Sequence, residues 1–192
     1  MIQAGDTLYN PVTKERMTFL KTAADTNGEY VLIELSAAPG AVVAAAHVHP
    51  NQTETFEVIR GTLGAKVGGK QLEAKAGDVL VVEPRVAHKW WNAGEDELVF
   101  RAEVRPALQF ERLIETMFGL AADGKTNKKG MPNPVRMAVI ANEYFDDVRA
   151  PHVPGAIQKA ALSAGAAMGR LVGYTPQYVP ASAAPQAATA AA

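Results

Sequence analysis

The spacing of hydrophobic and polar positions changes once along the chain, near Pro106. Before that point, short runs rich in Val, Ile, Leu and Phe alternate with turn residues, at 30–37, 56–74, 78–84 and 97–104. Such runs predict β-strands. The pair Gly68-Gly69 interrupts one of them and is typical of a two-residue hairpin turn. We therefore expect roughly eight to ten strands that form a closed barrel or a jelly roll.

After Pro106, apolar residues recur at the three- and four-residue spacing of amphipathic helices. Two such segments, 108–121 and 136–148, flank a polar loop, and a third helix is expected from about Gly155 to Leu171. The final segment, 176–192, is rich in Ala and Pro and is predicted to be disordered, because it has too little apolar side chain to pack. The predicted organisation is a mainly β unit over 1–106, a helical extension over 107–175 and this tail.

The third predicted helix carries an apolar stripe formed by Ile157, Ala161, Ala164, Met168 and Leu171. A stripe of this kind suits packing on the barrel or on a second subunit, and membrane association is a weaker alternative. Gly165 and Gly169 count against the helix, since each costs ~1 kcal/mol relative to alanine.

Composition narrows the classes of partner. Lys and Arg together number 19 against 20 for Asp and Glu, so no overall basic field is available to bind a nucleic acid backbone. The absence of cysteine means that any metal ion must be held by nitrogen and oxygen ligands. The N-terminal residues lack the pattern of a secretory signal, which makes a cytoplasmic setting the expectation. No apolar run approaches the ~20 residues needed to cross a bilayer.

The candidate chemistry centres on the segment 47–54, HVHPNQTE. In a β-strand, His47 and His49 project to the same side, roughly 6–7 Å apart. The residues between them and Glu54 predict a turn that returns a carboxylate beside the two imidazoles. His88 is the natural fourth ligand if its strand lies across the barrel. A lone histidine is more often a surface or core residue, but the joint pattern predicts a metal site.

These residues resemble the two motifs of the cupin family. The first motif corresponds to Gly40, the HxH pair, Glu54 and Gly61, and the second to the segment 77–92, with His88 eleven residues after its glycine. There are two departures. The gap from Gly40 to His47 is one residue longer than the family's usual five, and Glu83-Pro84-Arg85 stands where Pro-x-Gly is usual, which predicts an altered turn.

The resemblance covers residues 30–105, and the helical extension is similar to that of many single-domain cupins of unassigned function. It implies a β-barrel with one divalent transition metal ion inside, held by His47, His49, Glu54 and His88. It also implies a homodimer formed through exposed barrel strands, and the helices offer another surface. The nitrogen and oxygen ligands suit Fe, Mn, Ni, Zn, Co or Cu and do not name the ion.

The function is expected to involve a small organic molecule inside the barrel. Members of the family include dioxygenases, isomerases, lyases, decarboxylases and ligand-binding proteins without catalysis, and the fold does not select among them. A dioxygenase-type oxidoreductase is the leading hypothesis. The alternatives are a non-catalytic binding or sensory module and a redox-neutral isomerase or cyclase.

Four further residues are candidates for the wall of a substrate cavity: Phe56, Trp90, Asn92 and Phe100. Strand alternation places Trp90 and Asn92 on the face of His88, and for Trp90 a role in the core is equally favoured. Glu54 is the first candidate for proton transfer. Glu83 is a weaker candidate, because a solvated position at the rim is the more frequent role for such a residue, and Glu57 should face outward.

Two pattern matches carry no functional weight. The segment 119–126, GLAADGKT, fits the phosphate-binding pattern GxxxxGK[ST], but a predicted helix precedes it where a strand is required. The segment 51–53 fits a glycosylation acceptor but lies within the predicted metal-site turn. A small basic cluster at Lys125, Lys128 and Lys129 is more often a solvated loop than an anion site.

Overall fold

The computed structural model describes residues 2–41, 45–178 and 180. Strands occupy the first half of the chain and helices the second. The strands are β1 Thr7–Asn10, β2 Glu15–Lys21, β3 Val31–Ala37, β4 Thr53–Arg60, β5 Thr62–Val67, β6 Lys70–Lys75, β7 Val79–Val82, β8 His88–Asn92 and β9 Leu98–Arg105. The helices are α1 Phe110–Ala122, α2 Pro134–Glu143 and α3 Gly155–Leu171. The predicted mainly β fold with C-terminal helices is confirmed.

All strand pairs are antiparallel and form two sheets. The larger sheet has the order β1-β2-β3-β9-β4-β7, and the smaller has the order β6-β5-β8. Alternate residues of β3 and β9 are buried, as expected for strands with one face on a core. Side chains from both sheets, including Phe19, Phe56 and Trp90, belong to one continuous apolar cluster.

The predicted glycine hairpin joins β5 to β6. Gly68 and Gly69 both have positive φ, at 55° and 87°. This is the backbone that a two-residue turn with matching strand twist requires, and glycine adopts it without steric cost. The prediction of a tight turn at this pair is confirmed.

The second helix is shorter than its apolar spacing predicts. It was expected over 136–148 but ends at Glu143, and the next residues form a turn in which the Asp147 and Val148 amides donate to the Tyr144 carbonyl. The side chains of Tyr144 and Phe145 continue the apolar pattern because they are buried, although the backbone has left the helix. The turn allows the chain to run back toward the histidine segment.

The third helix packs on α2 through its smallest residues. A Cβ added to Gly165 would lie 2.7 Å from Ala138, and one added to Gly169 would lie 2.4 Å from Val139. The glycines that were expected to weaken the helix therefore permit α3 to approach α2 closely. The prediction that the stripe packs on the barrel is wrong, since Ile157 and Leu171 are 62% and 88% exposed. A second subunit as its partner stays a prediction.

The segment after α3 returns to α1. Tyr178, which lies in the predicted tail, is half-buried, and its amide donates to the Thr116 hydroxyl at 3.2 Å. Residues 179 and 181–192 of that tail lie outside the described residues. In the part of the chain that the structure describes, no helix has the length and apolar character to cross a membrane.

Candidate metal centre

The histidine segment is extended but does not form a regular strand. His47 pairs with His88 through two backbone hydrogen bonds of 3.0 and 2.9 Å, and Val48 pairs with Arg149 through bonds of 3.0 and 2.9 Å. These bridges hold the segment between β8 and the turn that follows α2. The extended backbone keeps the side chains of His47 and His49 on one side, as the spacing predicted.

The other two residues come from regular strands. Glu54 lies near the start of β4, which is paired on both sides by β7 and β9. His88 is the first residue of β8. Strands paired in this way fix the backbone beneath each side chain, so the positions of the carboxylate and the imidazole are set by the sheets and not by a loop.

The structure brings all four predicted ligands together. One ligand atom from each of His47, His49, Glu54 and His88 lies within 4.8 Å of the others. The Glu54 Oε2 atom lies 2.9 Å from His88 Nε2 and 3.7 Å from His49 Nε2. Three of the side chains are buried and His47 is half-buried, so among the described residues His47 is the most exposed member of the cluster.

Each imidazole is oriented by a backbone carbonyl. The Nδ1 atoms of His47, His49 and His88 lie 3.1, 2.6 and 3.0 Å from the carbonyl oxygens of Ala45, Asp147 and Val86. A carbonyl only accepts, so each Nδ1 carries the proton and donates. The Nε2 edge of each ring therefore faces the cluster. In a neutral ring this Nε2 atom carries a lone pair.

His49 leaves one buried atom without a partner. Its Nε2 atom has no hydrogen-bond partner among the described residues, although it is inaccessible to solvent. A buried polar atom without a partner costs about 1–3 kcal/mol, so native structures rarely keep one without a reason. A metal ion at the centre of the cluster would satisfy this lone pair.

The charges of the cluster are mutually dependent. Burial lowers the pKa of His47 to about 4, with the neighbouring His88 and His49 acting in the same direction, so this ring is neutral at pH 7. Burial alone would raise the pKa of Glu54, but its hydrogen bond from His88 and the nearby imidazoles hold that pKa below the ordinary value. The same bond raises the pKa of His88 against the effect of burial. A protonated His88 and an ionised Glu54 thus stabilise each other.

A family model described as a cupin domain matches residues 34–103. This range contains both sheets' central strands and all four clustered residues. The matched part of the chain is a cupin domain. No curated protein matches the sequence.

Several solved structures are similar to the cupin domain. An uncharacterized conserved protein with a double-stranded beta-helix domain from Klebsiella pneumoniae is 25% identical, covering 56% of this chain and 84% of the other, with a TM-score of 0.43. A predicted oxalate decarboxylase from Thermotoga maritima is 19% identical, covering 55% of this chain and 98% of the other, with a TM-score of 0.48. An RmlC-like cupin from Shewanella frigidimarina is 18% identical, covering 58% of this chain and 93% of the other, with a TM-score of 0.47.

Two residues that support the cluster were not identified from the sequence. The Gln52 Oε1 atom accepts from His49 Nδ1 at 3.1 Å, while its Nε2 atom donates to the carbonyls of Pro106 and Ala107 at 3.0 and 3.2 Å. The second is Asp147, whose carbonyl also accepts from His49. Gln52 stands inside the histidine motif, so its proximity was visible, but Asp147 lies 98 residues away and gave no signal.

Gln52→Ala is expected to raise the metal dissociation constant about tenfold, because residues that orient a metal-binding histidine typically contribute this much or more. It should also lower the free energy of unfolding by about 2 kcal/mol, since the buried partners of the amide lose their hydrogen bonds. Chelator competition and denaturant unfolding measure the two effects. Gln71→Ala, at an exposed position of β6, is the control. Unchanged metal affinity in Gln52→Ala would contradict the orienting role.

The predicted wall residues lie in the core of the cupin domain. The Trp90 and Phe100 rings pack edge to face with centroids 4.7 Å apart, and Phe56 packs on Phe100 at 5.6 Å. The amide of Asn92 donates to the carbonyls of Ala37 and Asp96 and accepts from the Gly94 amide, at 2.8–3.0 Å. These contacts stabilise the interior, and a role in substrate binding stays a prediction. Among the acidic candidates, Glu83 and Glu57 are both exposed.

The turn before His88 is held in a conformation that favours glycine. Arg85 has a φ of 69°, and its amide donates to the His49 carbonyl at 2.8 Å. A side chain in the left-handed region costs about 1–2 kcal/mol, and glycine removes this cost at the expense of a more flexible unfolded chain.

Arg85→Gly is therefore expected to raise the free energy of unfolding by about 0.5–1 kcal/mol. Arg85→Lys, which keeps a side chain at the strained position, should leave it near that of the parent. Chemical denaturation of the three proteins measures the difference. A loss of stability in the glycine variant would show that the arginine side chain stabilises the turn more than its backbone strains it.

Two cavities flank the cluster. The larger has a volume of about 1010 Å³, and His88, Ala45 and Ala46 are among its lining residues. The smaller, of about 320 Å³, shares Ala87 and His152 with it and lies beside Arg85 and Arg149. Of the four clustered residues, only His88 lines the larger cavity among the described residues.

Proposed function

We propose that the cupin domain binds one divalent transition metal ion at His47, His49, Glu54 and His88 and uses it to act on a small organic molecule. The observation that carries the proposal is the buried, unpartnered Nε2 atom of His49 beside three rings whose Nδ1 protons are already committed. A hydrogen-bonded cluster without an ion would leave this atom unsatisfied.

The ligand set fits such an ion. Three imidazoles and one carboxylate suit Fe, Mn, Ni, Zn, Co or Cu. When bound, an ion of this kind supplies Lewis-acid activation or a one-electron redox partner. Glu54 contributes the only negative charge to the cluster in the described residues, and it offsets part of the charge of a divalent cation.

The protein's own residues limit where a substrate can approach. His49, Glu54 and His88 are buried, and the half-buried His47 faces the open side. The larger cavity reaches the cluster at His88, so a substrate would approach between the His47–His88 pair and the loop that follows α1. Within the cluster, the buried carboxylate of Glu54 is a group that could accept a proton from a substrate and return it.

Oxidation with dioxygen is the reaction class that we favour. Among the described residues that line the larger cavity, none is acidic, and Glu83 is exposed at the rim. A redox-neutral isomerase or cyclase would need Glu54, or one of the histidine and lysine side chains of this cavity, to transfer protons. A non-catalytic binding module needs no group for proton transfer.

Three outcomes of one experiment separate these functions. Protein loaded with Fe, Mn or Ni is incubated with a library of small organic acids, phenols and diketones in air and under strict anaerobiosis. Oxygen uptake with product formed only in air is the expected result. Product formed equally without oxygen would replace the oxygenase with an isomerase or cyclase, and tight binding without product would leave a binding module.

We also propose a homodimer in which the exposed apolar face of α3 is covered. Met168 and Leu171 are 57% and 88% exposed, and Val172 continues the patch. Burying such side chains contributes about 25 cal/mol per Å² of apolar area removed from water. Sedimentation at micromolar concentration should give twice the chain mass for the parent and the chain mass for Met168→Lys/Leu171→Lys. A monomeric parent would overturn the proposal.

A further inference from the structure

The cavity beside the metal centre is lined by positive charge. Its lining residues include Lys66, Lys89, Lys128 and Lys129, together with His88 and His152. Within the described lining there is neither an acidic residue nor an arginine. We propose that this cavity binds a small organic anion, with its anionic group among the lysines.

The lysines of the cavity form no ion pair among the described residues, although the Lys89 ammonium lies 5.7 Å from the centre of the Trp91 ring. Arg60, Arg101 and Arg105 each form an ion pair with a glutamate, and Lys125 lies 3.8 Å from Asp123. In the described ranges, none of the four cavity lysines lies within 4.0 Å of a carboxylate oxygen. Their charge is therefore available to a ligand.

Two of the lysines face each other across a strand pair. Lys66 of β5 stands directly opposite Lys89 of β8. Like charges at directly opposed positions destabilise a sheet, so this arrangement has a cost in the free protein. An anion between the two ammonium groups removes the repulsion. Lys89 is also half-buried, which strengthens its attraction to a bound anion.

The other two lysines are carried by a fixed loop between α1 and α2. The Asn127 side chain accepts from the amides of Lys129 and Met131 at 2.8 and 3.2 Å, and the Asn127 amide donates to the Met131 carbonyl at 2.8 Å. A loop held by its own hydrogen bonds loses less conformational entropy when a ligand binds. The helical extension thus supplies half of the basic lining of a cavity that reaches into the cupin domain.

Lysine lining recognises charge more than shape. An ammonium group is a point charge, whereas the planar guanidinium of arginine is the group that matches a carboxylate in fork geometry. Carboxylate and phosphate ligands therefore both fit, and the volume of about 1010 Å³ admits a molecule of metabolite size.

Calorimetric titration tests the inference with probes that differ in charge but not in size. Zinc-loaded and metal-free proteins are titrated with succinate, with glycerol 2-phosphate and with neutral succinamide. We expect one of the two anions to bind at least about tenfold more tightly than succinamide. The tighter anion assigns the ligand to the carboxylate or the phosphate class.

Two matched double variants locate the site. Lys128→Ala/Lys129→Ala should weaken anion binding about tenfold, since each lost charge-assisted hydrogen bond contributes to affinity. Lys21→Ala/Lys75→Ala removes the same charge from exposed strand positions and should change binding by less than about twofold. Equal losses in both variants, or binding of both anions no tighter than that of succinamide, would overturn the inference.

Metal content measured on the same samples separates this inference from the proposed function. Stoichiometric metal without anion binding would overturn the anion site and leave the metal centre intact. Lysine-dependent anion binding in a protein that takes up no metal would support the anion site and overturn the proposed metal-dependent function.

Discussion

Glu54→Gln is expected to raise the dissociation constant of the metal ion about 10²- to 10³-fold. Four protein ligands that bind a structural zinc ion together contribute ~10–16 kcal/mol, so the loss of one ligand is equivalent to roughly a quarter of this free energy. Glutamine keeps the shape of the side chain but removes the only negative charge of the cluster in the described residues. Competition with a chromophoric chelator measures the constant for each protein.

The neighbouring Glu57→Gln is the matched control. Glu57 lies on the same strand, three residues further on, and its side chain is exposed on the opposite face. This variant should bind metal with the affinity of the parent. If Glu54→Gln also bound metal like the parent, the carboxylate would not be a ligand, and a cluster of three imidazoles alone would have to hold the ion.

Replacement of Glu15 by glutamine is expected to stabilise the protein by about 3 kcal/mol at pH 8.5 and to leave its stability unchanged below pH 4.5. Glu15, the first residue of β2, is 2% exposed, and burial raises its pKa from 4.5 to about 7. Between these values the folded chain holds more protons than the unfolded chain. Stability conferred by the neutral carboxyl is therefore complete below pH 4.5 and is lost as the pH rises through 7.

Denaturant unfolding of Glu15→Gln and the parent at intervals from pH 4 to 8.5 measures this difference. Because glutamine stays neutral throughout, the gap between the two proteins should open as the pH rises. Glu73→Gln, at an exposed position of β6, should show no pH-dependent gap. A gap of the same size at pH 4.5 and 8.5 would mean that packing, and not ionisation, distinguishes the Glu15 variant.

The candidate site was largely predictable because its information is local. The alternation of a strand places His47 and His49 on one side, and the short turn returns Glu54 to them without any knowledge of the fold. The position of His88 could not be predicted from local spacing, because it depends on β8 pairing beside the histidine segment. The resemblance to the cupin motifs predicted that His88 lies near the histidine segment. In the structure, a backbone bridge between His47 and His88 holds the two segments together.

The remaining features depend on contacts between distant parts of the chain. The packing of α3 could not be predicted from its apolar stripe, because the helix packs on α2 through Gly165 and Gly169 and not through that stripe. The same limit applies to Asp147, whose carbonyl orients His49 from beyond the end of α2. The end of α2 was also missed, since buried aromatic residues continue the helical spacing into a turn. Residue periodicity reports which side chains are buried, not which element covers them.

The central claim is that this cluster holds a metal ion, and metal content tests it most directly. Protein purified without a metal-binding tag is measured by inductively coupled plasma mass spectrometry, beside His49→Ala and His152→Ala. We expect near-stoichiometric Fe, Mn, Ni, Co, Cu or Zn in the parent and in His152→Ala, which alters the histidine outside the cluster. His49→Ala should lose the ion. A parent that contains no metal and cannot be loaded with any of these ions would contradict the claim.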